Sequence, residues 1–296
     1  MSSSTSAACL VVPASSERML AKAREIDAGE IVIDLEDAVV PERKDEARAL
    51  ALAALSTGGF RAAAIAVRAN APGTPWAHLD LIALGSAERR PDSVVIPKVQ
   101  GAGDLAFVAR LLDGVEHAAG RTQPLPVQAL VESAAGLRAL DQIAAATPRL
   151  TAIIVGYADL AVSLGRSPRG AADLDRWIAV QDAVVASARA AGLRAVDGPY
   201  LRIDDHDGLR ASATRGAELG FDAKWAIHPA QIEILAGAFV PGPDEVARAE
   251  AVLAALAGAG GAHGAVSLNG EMLDEPVRLA ALRTLHRAGR GPEPAR

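Results

Sequence analysis

The sequence predicts a (β/α)8 TIM barrel followed by a C-terminal helical extension. The main observation is that eight short, β-rich apolar runs alternate with longer segments of helical periodicity, a pattern typical of a parallel sheet covered by helices. Hydrophobic residues make up 50% of the chain but aromatic residues only 3%. The core is therefore built from Ala, Val, Leu and Ile, which suits buried parallel strands beneath Ala-rich helices. A doubly wound open sheet is the alternative.

The predicted strands are short apolar runs, and the segments between them have the period of a helix. The strands are CLVV (9–12), EIVID (30–34), AIAVR (64–68), SVVIP (93–97), VQALV (127–131), TAIIVG (151–156), LRAV (193–196) and AKWAIH (223–228). The helical segments are 16–29, 41–56, 79–90, 103–120, 134–147, 175–192 and 206–220. Several of them close on glycine, as helix C-termini commonly do.

The residues after the eighth strand predict an appendage to the barrel. Two further helical patterns, at 243–257 and 274–288, are joined by the Gly-rich stretch AGAGGAHGAVSLNG. We therefore expect a barrel domain over residues 1–242 and an extension over residues 243–296. A flexible tether that feeds a helix predicts a lid or an oligomer arm, with a disordered linker as the alternative.

Composition narrows the range of partners. The formal net charge of −6 argues against nucleic acid, because phosphate binding requires a basic surface. No uninterrupted stretch of about 18 apolar residues occurs, so neither a spanning helix nor a membrane partner is expected. The single cysteine, Cys9, excludes an internal disulfide and a thiolate metal cluster, which fits a reducing compartment. We expect a cytoplasmic protein that acts on small molecules.

In a barrel of this kind, the chemical groups lie at the carboxyl ends of the strands. Those ends carry, in strand order, Asp34, Glu36 and Asp37, then Arg68, Lys98, Glu132, Asp159, Asp197 and His228. Glu132 and Asp159 follow neighbouring strands, which lie about 4.8 Å apart in a sheet. Two such carboxylates can share one Mg²⁺ and leave its other octahedral positions to water and substrate oxygens. Capping of the following helices is the alternative role of both acids.

The basic residues at the strand ends offer anion binding or covalent chemistry. Arg68 enters a Gly/Pro loop, where its guanidinium can clamp a carboxylate, polarise a carbonyl or pair with Glu36 or Asp37. Lys98 and Lys224 are candidates for a Schiff-base lysine, although ion pairing is the commoner role of such lysines. A metal-free aldolase is therefore the main chemical rival to the magnesium hypothesis.

Two weaker features complete the strand ends. The sequence VGYADL (155–160) places a glycine turn before Asp159 at the start of a helix, which exposes backbone N–H groups to an anion. His228 precedes a proline and is interpreted as a structural histidine rather than a base. Neither feature is specific alone.

Seven motifs occur in an order that resembles one family. They are VVPASSERMLAKA, IDLEDAVVPERKDEAR, VRANAPGTPW, VVIPKV, ALVESAAGL, VGYADLAVSLG and GFDAKWAIHPAQIEILAGAFVP. Together they resemble the citrate lyase β-subunit-like proteins of the HpcH/HpaI aldolase superfamily over residues 9 to 285. The resemblance implies a (β/α)8 barrel, trimeric or hexameric, that uses Mg²⁺ to cleave or form a carbon–carbon bond between an acyl-CoA and a small α-keto acid.

The resemblance also implies roles for individual residues. Glu132 of VES and Asp159 of YADL look like the metal ligands. Arg68 looks like the residue that contacts the keto-acid carbonyl and the developing enolate oxygen. Glu36 and Asp37 are then expected to support the site, by orienting Arg68 or by holding metal-bound waters.

The turn after the sixth strand gains a binding role from the same resemblance. The amides around Gly156, Tyr157 and Ala158 look like the cradle for the keto-acid carboxylate. Ala158 stands where many relatives have a second acid, which changes the charge beside the metal. Ala14 and Ser15 replace a more usual glycine-containing turn, which leaves the CoA-binding loop undefined.

The extension is implied to complete the site. NGEMLDEP resembles the family's G-x-M-hydrophobic-Asp segment, whose aspartate reaches the active site of a neighbouring subunit in malyl-CoA and citramalyl-CoA lyases. That residue is Asp274 here, and from its position alone it would be the N-cap of the last helix. Lys98 is expected to support the site.

The sequence thus predicts a Mg²⁺-dependent acyl-CoA lyase of the malyl-CoA or citramalyl-CoA type, with thioesterase or synthase activity as possible companions. The resemblance implies a homotrimer or hexamer, in which the extension would complete a neighbour's site. One alternative is a CoA-independent hydroxy-acid aldolase. The other is a citrate lyase β-type subunit that acts only with an acyl-carrier protein partner.

Overall fold

A computed structural model describes residues 7–166, 174–258, 266–268 and 270–291. Eight parallel strands form a closed barrel in which each strand pairs with its neighbours in chain order and β8 pairs with β1. The strands are β1 Ala8–Pro13, β2 Glu30–Asp34, β3 Ala64–Arg68, β4 Ser93–Ile96, β5 Val127–Val131, β6 Leu150–Val155, β7 Arg194–Asp197 and β8 Ala223–Ala226. The predicted TIM barrel is confirmed, and the open-sheet alternative is wrong.

Helices cover the outside of the barrel. They are α1 Glu17–Ala23, α2 Lys44–Thr57, α3 Ala77–Ser86, α4 Ala102–Ala118, α5 Ala134–Arg138, α6 Leu140–Ala144, α7 Tyr157–Ser163, α8 Ile178–Ala190, α9 His206–Leu219 and α10 Ile232–Phe239. Their apolar faces pack on the outward-pointing strand residues to form one continuous core. A smaller cluster of inward-pointing residues, among them Val32, Ala66 and Trp225, fills the barrel interior. Strands buried on both faces explain the unbroken apolar runs of the sequence.

Two helices differ from the sequence prediction. The predicted segment 134–147 is two short helices that meet at Ala139, whose backbone leaves the helical region. The eighth barrel helix, α10, was not predicted, because a short helix follows β8 directly and resembles a continuation of its apolar run. A single 3₁₀ turn, which begins at Pro229, precedes α10.

The extension consists of α11 Pro243–Gly258, a hairpin of β9 Val266–Leu268 and β10 Glu271–Leu273, and α12 Glu275–Arg287. Its buried side chains form a cluster of their own, which includes Val252, Leu273 and Leu285. The hairpin was missed within the predicted Gly-rich linker, of which residues 259–265 and 269 lie outside the described residues. Among the helices that the structure describes, none is both long and apolar enough to cross a membrane.

Candidate active site at the carboxyl end of the barrel

Arg68 is held at the end of β3 by the last residue of β2. Asp34 and Arg68 are register partners in the sheet, and the arginine donates from Nε to Oδ1 and from Nη2 to Oδ2 of Asp34, both at 2.7 Å. Such a fork fixes the guanidinium plane as well as its position. The guanidinium also lies 5.7 Å above the centre of the Trp225 ring. Both contacts leave Arg68 a rigid, buried cation at the mouth of the barrel.

Glu36 and Asp37 were predicted either to orient Arg68 or to hold metal-bound waters, and the two acids differ in where they lie. Glu36 lies 3.0 Å from Arg68 Nη1, an ion pair without hydrogen-bond geometry. Asp37 is exposed, and its carboxylate pairs with Lys98 instead. Asp34 is the main partner, because its strand position faces Arg68 directly. The sequence contains a signal for this pairing, because Asp34 and Arg68 are the last residues of adjacent strands.

Lys98 joins two parts of this site. Its ammonium donates to Glu36 Oε1 at 2.6 Å and to Asp37 Oδ1 at 3.2 Å, and these carboxylates raise the pKa of Lys98 against the effect of burial. Its backbone N–H donates to Glu132 Oε1 at 2.8 Å. Among the described residues other than glycine, Lys98 alone has a positive φ, of 54°. This conformation, unfavourable for a residue with a Cβ, aims the amide at Glu132.

Glu132 is a buried carboxylate in a negative environment. It is 5% exposed, and burial together with the charges of Glu36 and Asp159 raises its pKa to about 8, although the Lys98 amide and Arg68 act in the opposite direction. A divalent cation would offset this uncompensated charge. Gly156 makes room for the carboxylate, since a Cβ there would lie 2.5 Å from Glu132 Oε2.

The first turn of α7 brings the remaining predicted residues to the same place. Gly156 is the N-cap of α7, so the amides of Tyr157 and Ala158 belong to the unpaired first turn. Tyr157 is buried, Ala158 is exposed and Asp159 is half-buried. Asp159 is near enough to Glu132 for its charge to raise the glutamate pKa.

The residues fit a magnesium ion bound by few protein ligands. No three His, Cys, Asp or Glu side chains in the described ranges converge on a point that could hold a metal. Glu132 and Asp159 are a pair, which matches the preference of Mg²⁺ for one or two carboxylates with water and substrate oxygens in the other positions. The buried, uncompensated Glu132 and the space left by Gly156 support this fit.

The two candidate Schiff-base lysines and His228 have structural roles. Lys224 is 1% exposed and its ammonium donates to Asp197 and to the carbonyl of Gly198, so it cannot meet a substrate carbonyl. Lys98 is engaged by two carboxylates, as described above. His228 accepts from the Ala230 amide at 3.2 Å and caps a 3₁₀ turn, as expected for a structural histidine.

Asp274 is an exposed N-cap within the single chain. Its Oδ1 accepts from the amide of Val277 at 3.2 Å at the start of α12. This is the capping role that its position alone predicts. Its implied approach to a neighbouring subunit's site stays a prediction.

The model of the family described as HpcH/HpaI aldolase/citrate lyase matches residues 8–229 of the chain, the part that forms the barrel and this site. The chain belongs to that family. Its match includes every candidate site residue except Asp274, which lies in the extension.

Relatives named as a lyase and as a thioesterase match most of the chain. The chain is 37% identical over 279 residues to an L-malyl-CoA/β-methylmalyl-CoA lyase of Cereibacter sphaeroides, with 88% of this chain and 86% of that protein covered. It is 38% identical over 283 residues to a (3S)-malyl-CoA thioesterase of the same species, with 94% and 93% covered. Among solved structures, the CitE protein of Mycobacterium tuberculosis in complex with magnesium, acetoacetate and coenzyme A matches with a TM-score of 0.77 and 30% identity, covering 96% of this chain and 98% of that one.

Proposed function

We propose that this protein is a Mg²⁺-dependent carbon–carbon lyase that cleaves or forms a short β-hydroxyacyl-CoA of the malyl-CoA type. Cleavage yields an acyl-CoA and an α-keto acid. The observation that carries the proposal is the pairing of a buried, uncompensated Glu132 with the rigid Arg68 fork at the mouth of the barrel. The malyl-CoA lyase relatives and the magnesium complex of a structural neighbour support it.

Glu132 and Asp159 would hold the Mg²⁺. When bound, this ion supplies Lewis acidity to the oxygens of the keto-acid half. Glu132 is kept in place by the Lys98 amide on one side and by the backbone of Gly156 on the other. The unpaired amides of Tyr157 and Ala158 at the first turn of α7 would bind the keto-acid carboxylate, as helix N-termini bind anions.

Arg68 would stabilise the negative charge that develops in the reaction. Cleavage breaks the bond between the α and β carbons of the acyl-CoA: the β-hydroxyl loses its proton and becomes the keto-acid carbonyl, and the electron pair of the broken bond forms the thioester enolate. Protonation of the α carbon then yields the acyl-CoA. A fixed cation costs no reorganisation when that charge appears. Asp34 supplies the rigidity, because its two hydrogen bonds hold the guanidinium before substrate binds.

The proton would be moved by Asp274 of a neighbouring subunit in a homotrimer or hexamer. The exposure of Asp274 in the single chain supports this role, because its carboxylate is free to meet another surface. A lid that carries the base also excludes water from the enolate.

Thioester hydrolysis is a second candidate, favoured by the thioesterase relative of similar identity. The two activities share substrate and site but differ in the bond that breaks. A lyase yields the acyl-CoA and keto acid, whereas a thioesterase yields free CoA and the hydroxy acid. A CoA-independent aldolase and a carrier-dependent subunit are the remaining alternatives.

Mass spectrometry of reaction products separates these possibilities. Purified protein is incubated with malyl-, methylmalyl-, citramalyl- or citryl-CoA, with Mg²⁺ or with EDTA. We expect acyl-CoA and keto acid from at least one substrate with Mg²⁺ and none with EDTA. Free CoA without keto acid would instead identify a thioesterase, and inertness toward all four would refute the proposal.

A mixing experiment tests the role of Asp274. The variants Arg68→Ala and Asp274→Asn are each expected to lose about 100-fold or more in activity. Asn caps a helix as well as Asp does, so the second variant keeps α12 intact. If Asp274 acts in a neighbour, mixed oligomers of the two variants regain activity at sites that combine intact residues. No recovery in verified mixed oligomers would refute action between subunits.

A further inference from the structure

We propose that Tyr157, Asp197 and Lys224 form a positioning cluster that sets the Mg²⁺ affinity of the site by fixing the first turn of α7. The inference rests on the proposed function and gives a role to three side chains that touch neither substrate nor metal. The name positioning cluster is used below for these three residues.

The positioning cluster is a closed, buried hydrogen-bond network. The Tyr157 hydroxyl donates to Asp197 Oδ1 and accepts from Gln181 Nε2 at 2.8 Å. The other carboxylate oxygen of Asp197 accepts from the Lys224 ammonium, which also donates to the Gly198 carbonyl at 2.7 Å. Asp197 is fully buried and Lys224 nearly so, so the network links the ends of β7 and β8 to α7 and α8.

The ring of Tyr157 is confined as closely as its hydroxyl. Its centre lies 5.0 Å from that of Trp177, and the Lys224 ammonium lies 5.9 Å from it on the ring face. Gly198 backs the ring, since a Cβ at that position would lie 2.7 Å from a ring carbon. The ring has no alternative place to occupy without moving the backbone.

The backbone that this ring anchors carries the proposed ligand. Tyr157 is the first residue of α7, and Asp159 follows two residues later in the same turn. α7 has seven residues, and an isolated helix of that length is unstable in water. Tertiary contacts must therefore hold the helix: Leu160 and Ala161 pack in the core, and the positioning cluster fixes the first residue, Tyr157.

A purely structural role is the competing explanation. A buried ion pair adds little net stability compared with well-packed apolar residues, so stability alone is a weak reason for this cluster. Metal binding requires accurate placement of the α7 turn, and this requirement is a better reason for the cluster. The two explanations differ in whether metal affinity changes when the fold is retained.

The chain offers a matched pair of substitutions. Its two tyrosines each donate a hydroxyl to an aspartate, Tyr157 to Asp197 and Tyr200 to Asp205 at 2.7 Å. Tyr157→Phe removes one hydroxyl from the positioning cluster, and Tyr200→Phe removes one from a loop that does not carry Glu132 or Asp159. Free Mn²⁺ is measured by electron paramagnetic resonance, with Mn²⁺ as the probe of the Mg²⁺ site.

We expect Tyr157→Phe to raise the Mn²⁺ dissociation constant about 10-fold, as loss of a supporting partner of a metal ligand does, and Tyr200→Phe to change it less than twofold. The rate of Tyr157→Phe should therefore reach half its maximum at a higher Mg²⁺ concentration than that of the parent protein, because the substitution removes the hydroxyl but keeps the backbone amide. Hydrogen exchange of peptides that contain α7 should accelerate in this variant alone.

Equal Mn²⁺ affinity of Tyr157→Phe and the parent protein would overturn the inference and leave the proposed function standing. Equal weakening by Tyr200→Phe would also overturn it, because a general loss of stability would then explain both. If the parent protein binds no Mn²⁺, the proposed function itself fails. Gln181→Met, which removes the amide donor to the tyrosine hydroxyl without touching the ring, provides a second variant and is expected to act in the same direction more weakly.

Discussion

Two buried glutamates near opposite ends of the barrel differ in how their charges are compensated. Glu132 at the carboxyl end and Glu116 at the amino end are 5% and 4% exposed. Arg149 and Arg90 pair with Glu116, and the Leu125 amide donates to it at 2.6 Å. Burial opposes the charge of Glu116, but these partners lower its pKa, whereas the pKa of Glu132 is raised to about 8.

The comparison separates a stabilising charge from a functional one. Glu116 is compensated by protein cations, so its site is complete without a ligand. Glu132 has a single amide donor from Lys98 and, beside Arg68, two acids whose charges raise its pKa, so a bound cation would complete its site. Strongly perturbed carboxylates with uncompensated charge are typical of functional sites.

The largest expected effect comes from neutralising each glutamate in turn. Glu132→Gln should lower kcat/KM about 1,000-fold or more, because the Lewis acid loses a ligand, and should leave the metal-free stability at least as high. Glu116→Gln should instead cost about 3 kcal/mol of stability, because Arg149 and Arg90 lose the carboxylate that they share and the buried Arg149 keeps only the exposed Asp113 as a charge partner. Steady-state kinetics and denaturant unfolding measure the two quantities. If Glu132→Gln and Glu116→Gln changed kcat/KM and stability alike, the distinction between a functional and a stabilising glutamate would be wrong.

Arg68→Lys tests whether geometry matters beyond charge at the carboxyl end. A lysine keeps the cation but cannot form the fork to Asp34, so we expect kcat to fall about 100-fold. The matched change at the amino end is Arg149→Lys, which should lower stability with little effect on kcat of the folded protein. A fully active Arg68→Lys would show that a point charge suffices.

Gly156→Ala should weaken metal binding without changing any polar group. The added Cβ would lie 2.5 Å from Glu132 Oε2, so the carboxylate must shift, and we expect Mg²⁺ affinity to fall about 10- to 100-fold. Gly114→Ala in α4, where a Cβ meets nothing within 4 Å, is the control and should stabilise by about 0.5–1 kcal/mol. Calorimetric titration with Mg²⁺ measures the affinity. Unchanged binding in Gly156→Ala would argue against Glu132 as a ligand.

The smallest expected effect concerns the backbone of Lys98. Lys98→Ala and Lys98→Gly both lose the ammonium, but only glycine relieves the positive φ. Lys98→Gly should therefore be about 1 kcal/mol more stable than Lys98→Ala, with metal bound in both because the amide to Glu132 remains. Paired unfolding curves and metal titrations measure the difference. Equal stability of the two variants would show that the backbone there is not strained.

The elements that the sequence predicts well are those with a local signal. The eight strands were placed within one or two residues of their ends, because continuous apolar runs mark strands buried on both faces. α10 and the β9–β10 hairpin were missed. A short apolar helix directly after a strand resembles a longer strand, and a Gly-rich hairpin resembles a linker.

The candidate site residues were proposed for the same reason. Glu132, Asp159 and Arg68 were singled out because they lie at strand ends, where barrel chemistry occurs, and their roles stay a prediction. Asp34 was not predicted as the main partner of Arg68, because nearness in the chain does not determine which carboxylate faces a guanidinium. That depends on strand register, which pairs Asp34 with Arg68.

The sequence by itself determined the barrel, the strand ends and the set of charged groups gathered there, because each depends on local pattern and on the general geometry of parallel sheets. Only the tertiary structure decided how those charges are compensated. Tyr157, Asp197 and Lys224 meet across 27 and 40 positions of the chain. Burial raises the pKa of Glu132, whereas distant partners outweigh burial and lower the pKa of Glu116. Burial and long-range pairing set the energy of a charge, and neither can be read from the residues on either side of it.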